Sequence, residues 1–153
     1  MIEVQRLYEL GLEIKAKQIG INEFKMVQEE SEIVQYLREL KKEHNHLLII
    51  VLPSVDSAGS RDSDGIILKD MHQFIVLEKR DPKSPKSNYD DMMIYARTQT
   101  TMNNMLEYIL GEINDETDSS CNILSRLDPA SFDIEPVKGP SDCFGYSWAF
   151  KMK

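Results

Sequence analysis

Four short polar residues, Ser60, Asp62, Asp64 and Gly65, stand at the first, third, fifth and sixth places of a calcium-loop pattern. Such side chains offer oxygens at alternate positions, and the glycine allows the sharp turn that wraps the ion. The twelfth place, which needs a bidentate glutamate, is Met71, so the expectation is an exposed acidic loop and no built ion site. His44 and His46 are separated by one residue, which in an extended segment aims both rings to one side, as two zinc ligands would be. A third ligand would have to come from His72, a cysteine or a distant carboxylate. A surface or capping role is the simpler expectation for the pair.

Nucleophilic catalysis needs a Ser or Cys beside a base, commonly in a tight glycine-flanked turn, and no such turn is present. Cys143 lies between Asp142 and Phe144, next to an acid that raises a thiol pKa instead of activating it. Gly59 and Gly65 lack the following lysine and helix start of a phosphate loop. Asp90, Asp91, Glu107, Glu112, Asp115 and Glu116 could pair for acid and base work. Their helical positions instead suit dipole complementation at Asp90 and Asp91 and a solvated face for the rest. No catalytic, cofactor-binding or metal-binding residue is assigned, and no cofactor is expected.

The closing segment carries more information. Phe144, Tyr146, Trp148 and Phe150 follow at two-residue spacing, so a strand would project all of these rings from one face. That face is expected to cover the core. The alternative is that Tyr146, Trp148 and Phe150 form an interface, since Tyr and Trp are enriched where proteins meet.

The elements that would position these residues can be read from apolar periodicity. Val4, Leu7, Leu10 and Ile14 lie along one face of an opening helix over 2–17, with Gly20 as a stop. Phe24 and Met26 alternate with polar neighbours in a short strand. Ile33, Val34, Leu37 and Leu40 repeat the helical spacing over 28–43, with acids in the first turn and Lys41 and Lys42 in the last. Residues 47–52 read as a buried strand ended by Pro53, and 54–65 as a polar surface loop. Segments 66–68 and 74–77 form one bent strand or two that pair with 47–52. A loop over 81–88 then leads into the longest helix, 89–112. Its stripe is Met92, Ala96, Gln99, Asn103, Leu106, Leu110 and Ile113, widened by Met93, Met102, Met105 and Ile109. A short helical piece follows at 121–127, and 132–136 and 146–150 make a terminal pair of strands around a loop over 138–144. The fold class is α+β: an antiparallel or mixed sheet packed with N-terminal helices and a long helix in the C-terminal half, in a single domain over 1–153.

Composition excludes several function classes. The chain has 153 residues, 41% hydrophobic and 29% charged, enough for its own core. Acids outnumber bases by 26 to 18, a net charge of -8 that repels phosphate backbones. The densest basic stretch, Lys79, Arg80, Lys83 and Lys86, is broken by Asp81, Pro82 and Pro85 and reads as a solvated turn. No nucleic-acid partner is expected. The opening residues include Glu3, Arg6, Glu9 and Glu13 where an export signal would be apolar. The apolar run 47–52 falls far short of the roughly 20 residues a membrane helix needs, so no membrane partner is expected. Cys121 and Cys143 are read as free thiols in a reducing interior.

The order of elements resembles a family: the tail-terminator and tail-completion (head-tail joining) proteins of long-tailed bacteriophages and prophages. The similar parts are the opening helix, LLIIVLPS at 47–54, the polar loop, FIVLEK at 74–79, the long helix and the closing DCFGYSWAFKM at 142–152. The resemblance spans most of the chain and has no catalytic residue to transfer. It implies a non-enzymatic assembly protein in the host cytoplasm or the virion, whose partners are copies of itself in a ring or other tail proteins. Two other readings stand beside it: a bacterial ligand- or protein-binding module using Tyr146 and Trp148, and a metal-dependent enzyme using Asp62 and Asp64 with a histidine.

Overall fold

A computed structural model describes residues 2–17, 19–28, 30–57, 68–114 and 126–152. Helix α1 is Val4–Ala16, strand β1 Glu23–Val27, helix α2 Glu30–Glu39, strand β2 Leu47–Ser57 and strand β3 Leu68–Lys79. Helix α3, Asn88–Asn114, is followed by strands β4, Asp133–Gly139, and β5, Cys143–Lys151. The strands form one five-stranded sheet in the order β1-β2-β3-β5-β4. β1 runs parallel to β2, and every other pair is antiparallel, so the sheet is mixed. This is the expected α+β architecture, with the long helix in the C-terminal half.

Side-chain alternation splits the sheet into two apolar faces. On one, Leu48, Ile50, Phe74, Val76, Trp148 and Phe150 pack against Leu7, Leu10 and Ile14 of α1 and Met102, Met105 and Ile109 of α3. On the other, Leu47, Ile49, Leu77 and Cys143 pack against Leu37 of α2 and Leu40 just beyond it. The buried run at the start of β2 is continuous because both faces of that strand are covered.

Several boundaries differ from expectation for identifiable reasons. Pro53 does not end β2. The register with β3 shifts between Val51 and Ser54, and this irregularity accommodates the proline, so 54–57 are strand and not loop. Residues 60–65, with the calcium-like pattern, and 121–125, with Cys121 and most of the expected short helix, lie outside the described residues. β3 is one strand and not two. The closing hairpin is tighter than predicted: β4 and β5 pair from Gly139 opposite Cys143. Ser141 and Asp142 take the turn with φ of 60° and 55°, a left-handed conformation that Asp tolerates better than most residues. Gly145 is required by close approach, since a Cβ there would sit 1.8 Å from the Val76 carbonyl oxygen.

The long helix has the predicted extent and a different inward face. Ile94, Thr98, Thr101, Met102, Met105 and Ile109 are buried, whereas Ala96, Gln99 and Asn103 are exposed. Met102, Met105 and Ile109, from the widened side of the expected stripe, are buried as expected, and Met92, Ala96, Gln99 and Asn103 lie on the neighbouring, exposed flank. Gln99 and Asn103 therefore need no partner in the core, and the polar residues that do face the sheet are threonines. Thr98 meets this need by donating to the Ile94 and Tyr95 carbonyls. Ser87 begins α3: its hydroxyl accepts from the Asp90 N–H at 3.1 Å and donates to the Asp90 carboxylate. Among the described residues no helix is long and apolar enough to cross a membrane.

Candidate functional site

A connected polar cluster gathers where the start of β2, the end of β3 and the middle of α3 meet. His46 precedes the first residue of β2, and because Leu47 pairs with Leu77, it lies beside Glu78 on the next rung. The neighbouring Asn45 extends this ladder with its side chain. Its amide nitrogen donates to the Lys79 carbonyl at 3.0 Å, and its oxygen accepts from the Lys79 N–H at 3.0 Å. The His46 carbonyl accepts from the backbone N–H groups of Asn22 and Glu23. These bonds fix the backbone at His46 before α3 is considered.

His46 then bridges two elements. Its Nε2 lies 2.8 Å from Glu78 Oε2 and its Nδ1 lies 2.7 Å from the Thr101 hydroxyl. Arg97, one turn before Thr101, donates through Nε to Glu78 Oε2 at 3.0 Å and through a terminal nitrogen to Oε1 at 2.6 Å. Burial by itself raises the Glu78 carboxyl pKa. The hydrogen bonds from His46 and Arg97 and the Arg97 charge outweigh it and hold the carboxyl below its ordinary range. An ionised Glu78 can only accept, so Nε2 donates to it, and in a neutral ring Nδ1 accepts from Thr101.

Hydroxyl, imidazole and carboxylate in line is the arrangement that activates a nucleophile in hydrolases. Here the hydroxyl is covered. Thr101 is 5% exposed, and a Cβ on Gly20 would lie 2.9 Å from its oxygen. Gly20 holds φ at 106°, so the loop passes against the hydroxyl in a conformation few other residues adopt. The carboxylate is also neutralised by Arg97. The cluster therefore acts as a polar clasp between helix and sheet. Sequence reasoning expected a surface or capping role for His46 and missed its largely buried place between Thr101 and Glu78, as well as Glu78, Arg97 and Thr101 themselves. The usable signal was that a histidine and a glutamate flank corresponding ends of two buried runs, while threonines sit on the inward side of an otherwise apolar helix.

The other candidates are dispersed. His44 lies half-buried in a short 3-10 turn, both His46 nitrogens are engaged by Thr101 and Glu78, and His72 is buried with its ring stacked 5.3 Å from Phe150. Among the described residues no group of three or more His, Cys, Asp or Glu could hold a metal ion. Cys143 is buried under the α2 side of the sheet, and burial pushes its thiol up to about 11, with Lys79 opposing and Asp142 adding. The basic turn is engaged within the protein. Lys79 donates to the Leu37 and Arg38 carbonyls at the end of α2, Arg80 pairs with Asp91, and Lys86 lies 3.4 Å from Asp142.

The aromatic strand places its rings as its spacing requires, under α3. Trp148 is 0% exposed and Phe150 2%. Trp148 meets Phe74, Phe132 and Phe150 at centroid distances of 5.4, 5.0 and 4.3 Å. Phe144 packs against Tyr95 and lies beneath Arg80 and Lys138. Of the candidate interface residues Tyr146, Trp148 and Phe150, Tyr146 alone remains half-buried, with Tyr95 6.1 Å away. β5 lies between β3 and β4, so it has no free edge to offer a neighbour. The sheet's edges are β1 and β4. On β1 the Glu23 carboxylate accepts from the Phe24 N–H and is held by Lys15, and β4 carries Pro136 with charged neighbours, both of which blunt an edge.

No protein-family model matches this chain, and no curated protein matches it.

Proposed function

We propose that the chain is a non-enzymatic assembly subunit of the tail-terminator or tail-completion type that its sequence resembles, acting through contacts with copies of itself or with other tail proteins. The supporting observation is a pair of unlike apolar surfaces at opposite ends of the sheet. At the β1 end, Val4, Tyr8 and Leu12 of α1 follow at four-residue steps and are 50%, 50% and 46% exposed, a second apolar flank beside the buried one, to which Val4 belongs in place of the expected face of Leu7, Leu10 and Ile14. At the other edge, Ile134 of β4 is 42% exposed and Pro136 is exposed on the same face. A closed ring needs one surface of a subunit to meet a different surface of the next. The sealed Thr101 hydroxyl favours assembly over chemistry at the one relay among the described residues.

The test is light scattering of the purified chain across protein and salt concentrations, then microscopy with tail tubes. Mass should rise with both variables, and Leu12→Asp should suppress the rise. A chain that stays monomeric throughout and ignores tail tubes would remove the reading. The binding-module reading on the aromatic closing strand, narrowed to half-buried Tyr146 because Trp148 is fully buried, would then take its place.

A further inference from the structure

The inward side of α3 changes character along its length. From 102 to 109 it presents Met102, Met105 and Ile109 to the apolar core. From 91 to 101 it is held chiefly by polar contacts: Asp91 to Arg80, Arg97 to Glu78, and Thr101 to His46. Ile94 and the ring of Tyr95 are the apolar exceptions. Arg97 has 54% of its side chain exposed, so water and salt reach one arm of the clasp directly.

We propose that α3 is docked in two parts, and that its N-terminal part, 91–101, is a latch that opens from the sheet while 102–109 stays seated. Apolar docking carries no charge for salt to screen, whereas a charge pair that water reaches, as Arg97–Glu78 is, weakens as salt screens it. Segments with few apolar anchors open locally at lower free energy than the core does. The opening breaks three contacts with two strands, since His46 directly precedes β2, Glu78 lies at the end of β3 and Arg80 directly follows it. It bares Phe144 and Tyr146, the β5 rings that Tyr95 covers. The charged and titratable groups in contact with the latch are His46 before β2, Glu78 on β3 and Arg80 just after it, with Asp90, Asp91 and Arg97 on α3 itself.

Native-state hydrogen exchange of the full chain, resolved along α3, tests this. In the wild type, amides of 94–101 should exchange faster than those of 102–109, and added salt should accelerate the first group only. Glu78→Gln, which removes the charge both His46 and Arg97 rely on, should accelerate 94–101 by about tenfold or more and leave 102–109 unchanged. Simple fraying from the helix end would produce a gradient with no response to salt or to Glu78. If the helix exchanges as one unit in both proteins, or salt moves both groups together, the latch does not exist. Should Glu78→Gln fail to fold, the salt series on the wild type decides alone.

Discussion

Glu78 concentrates the consequences of packing at one residue. It is nearly buried, yet it accepts from both His46 and Arg97, and these partners hold its carboxyl below the ordinary value of 4.5. A carboxyl whose folded-state pKa is depressed adds stability that is full above the unfolded pKa and lost as pH falls through the folded one. Part of the acid-induced loss of stability, setting in below about pH 5, should thus belong to Glu78. Glu78→Gln should cost about 1 to 3 kcal/mol at neutral pH, because charged hydrogen bonds are replaced by neutral ones beside an unpaired Arg97. The same variant should show a flatter acid limb, so the two proteins converge as pH drops. Urea melts from pH 7 to pH 3 measure this, and parallel curves would mean that Glu78 is not the group that couples folding to acid.

At the scale of elements, the fold was largely legible because apolar periodicity is a local property. The buried runs at 47–52 and 74–77, the amphipathic α1 and the closing pair of strands were all readable from spacing alone. Legibility failed where one residue's role depended on a distant element. Pro53 stops an isolated strand, yet β3 tolerates it across a register shift. The α3 stripe was right at Met102, Met105 and Ile109 and one flank off before them, because Met92, Gln99 and Asn103 satisfy the same steps as Ile94, Thr98 and Thr101, and only the position of the sheet distinguishes them. The clasp was missed for the same reason: His46 and Thr101 are 55 residues apart, and the signal that could join them depends on how the two buried runs pair. β5 was the opposite case, since its two-residue spacing fixed which rings share a face. Its cluster of Phe74, Phe132, Trp148 and Phe150 predicts that Trp148→Ala leaves a cavity these rings cannot refill, costing about 3 to 5 kcal/mol. Urea melts should show that loss with self-association unchanged at conditions where the variant is folded. Unchanged stability with lost association would instead place the ring at an interface.

For the whole molecule, the property that bears on the proposed assembly is that two of its exposed apolar surfaces, the α1 flank of Val4, Tyr8 and Leu12 and the β4 pair Ile134 and Pro136, differ and lie at opposite ends of the sheet. Contacts of a two-fold dimer use one patch on both partners, so a single substitution in that patch weakens both halves of the contact, and substitutions elsewhere do nothing. Head-to-tail contacts behave otherwise. If α1 of one subunit meets the β4 end of the next, Leu12→Asp and Ile134→Asp should each abolish growth, because each removes one member of every contact. A mixture of the two variants keeps one intact pairing: the undamaged α1 of the Ile134→Asp protein against the undamaged β4 end of the Leu12→Asp protein. Equal amounts should therefore form a two-subunit species and stop, since both outer surfaces of that pair are damaged. The net charge of -8 opposes any such contact, and raising salt shortens the Debye length to about 8 Å at physiological ionic strength, so the pair should strengthen as salt increases. Light scattering of each variant and of the mixture reads the outcome directly. Two variants that remain monomeric alone and in mixture, while the wild type associates, would show that α1 and β4 do not meet head to tail.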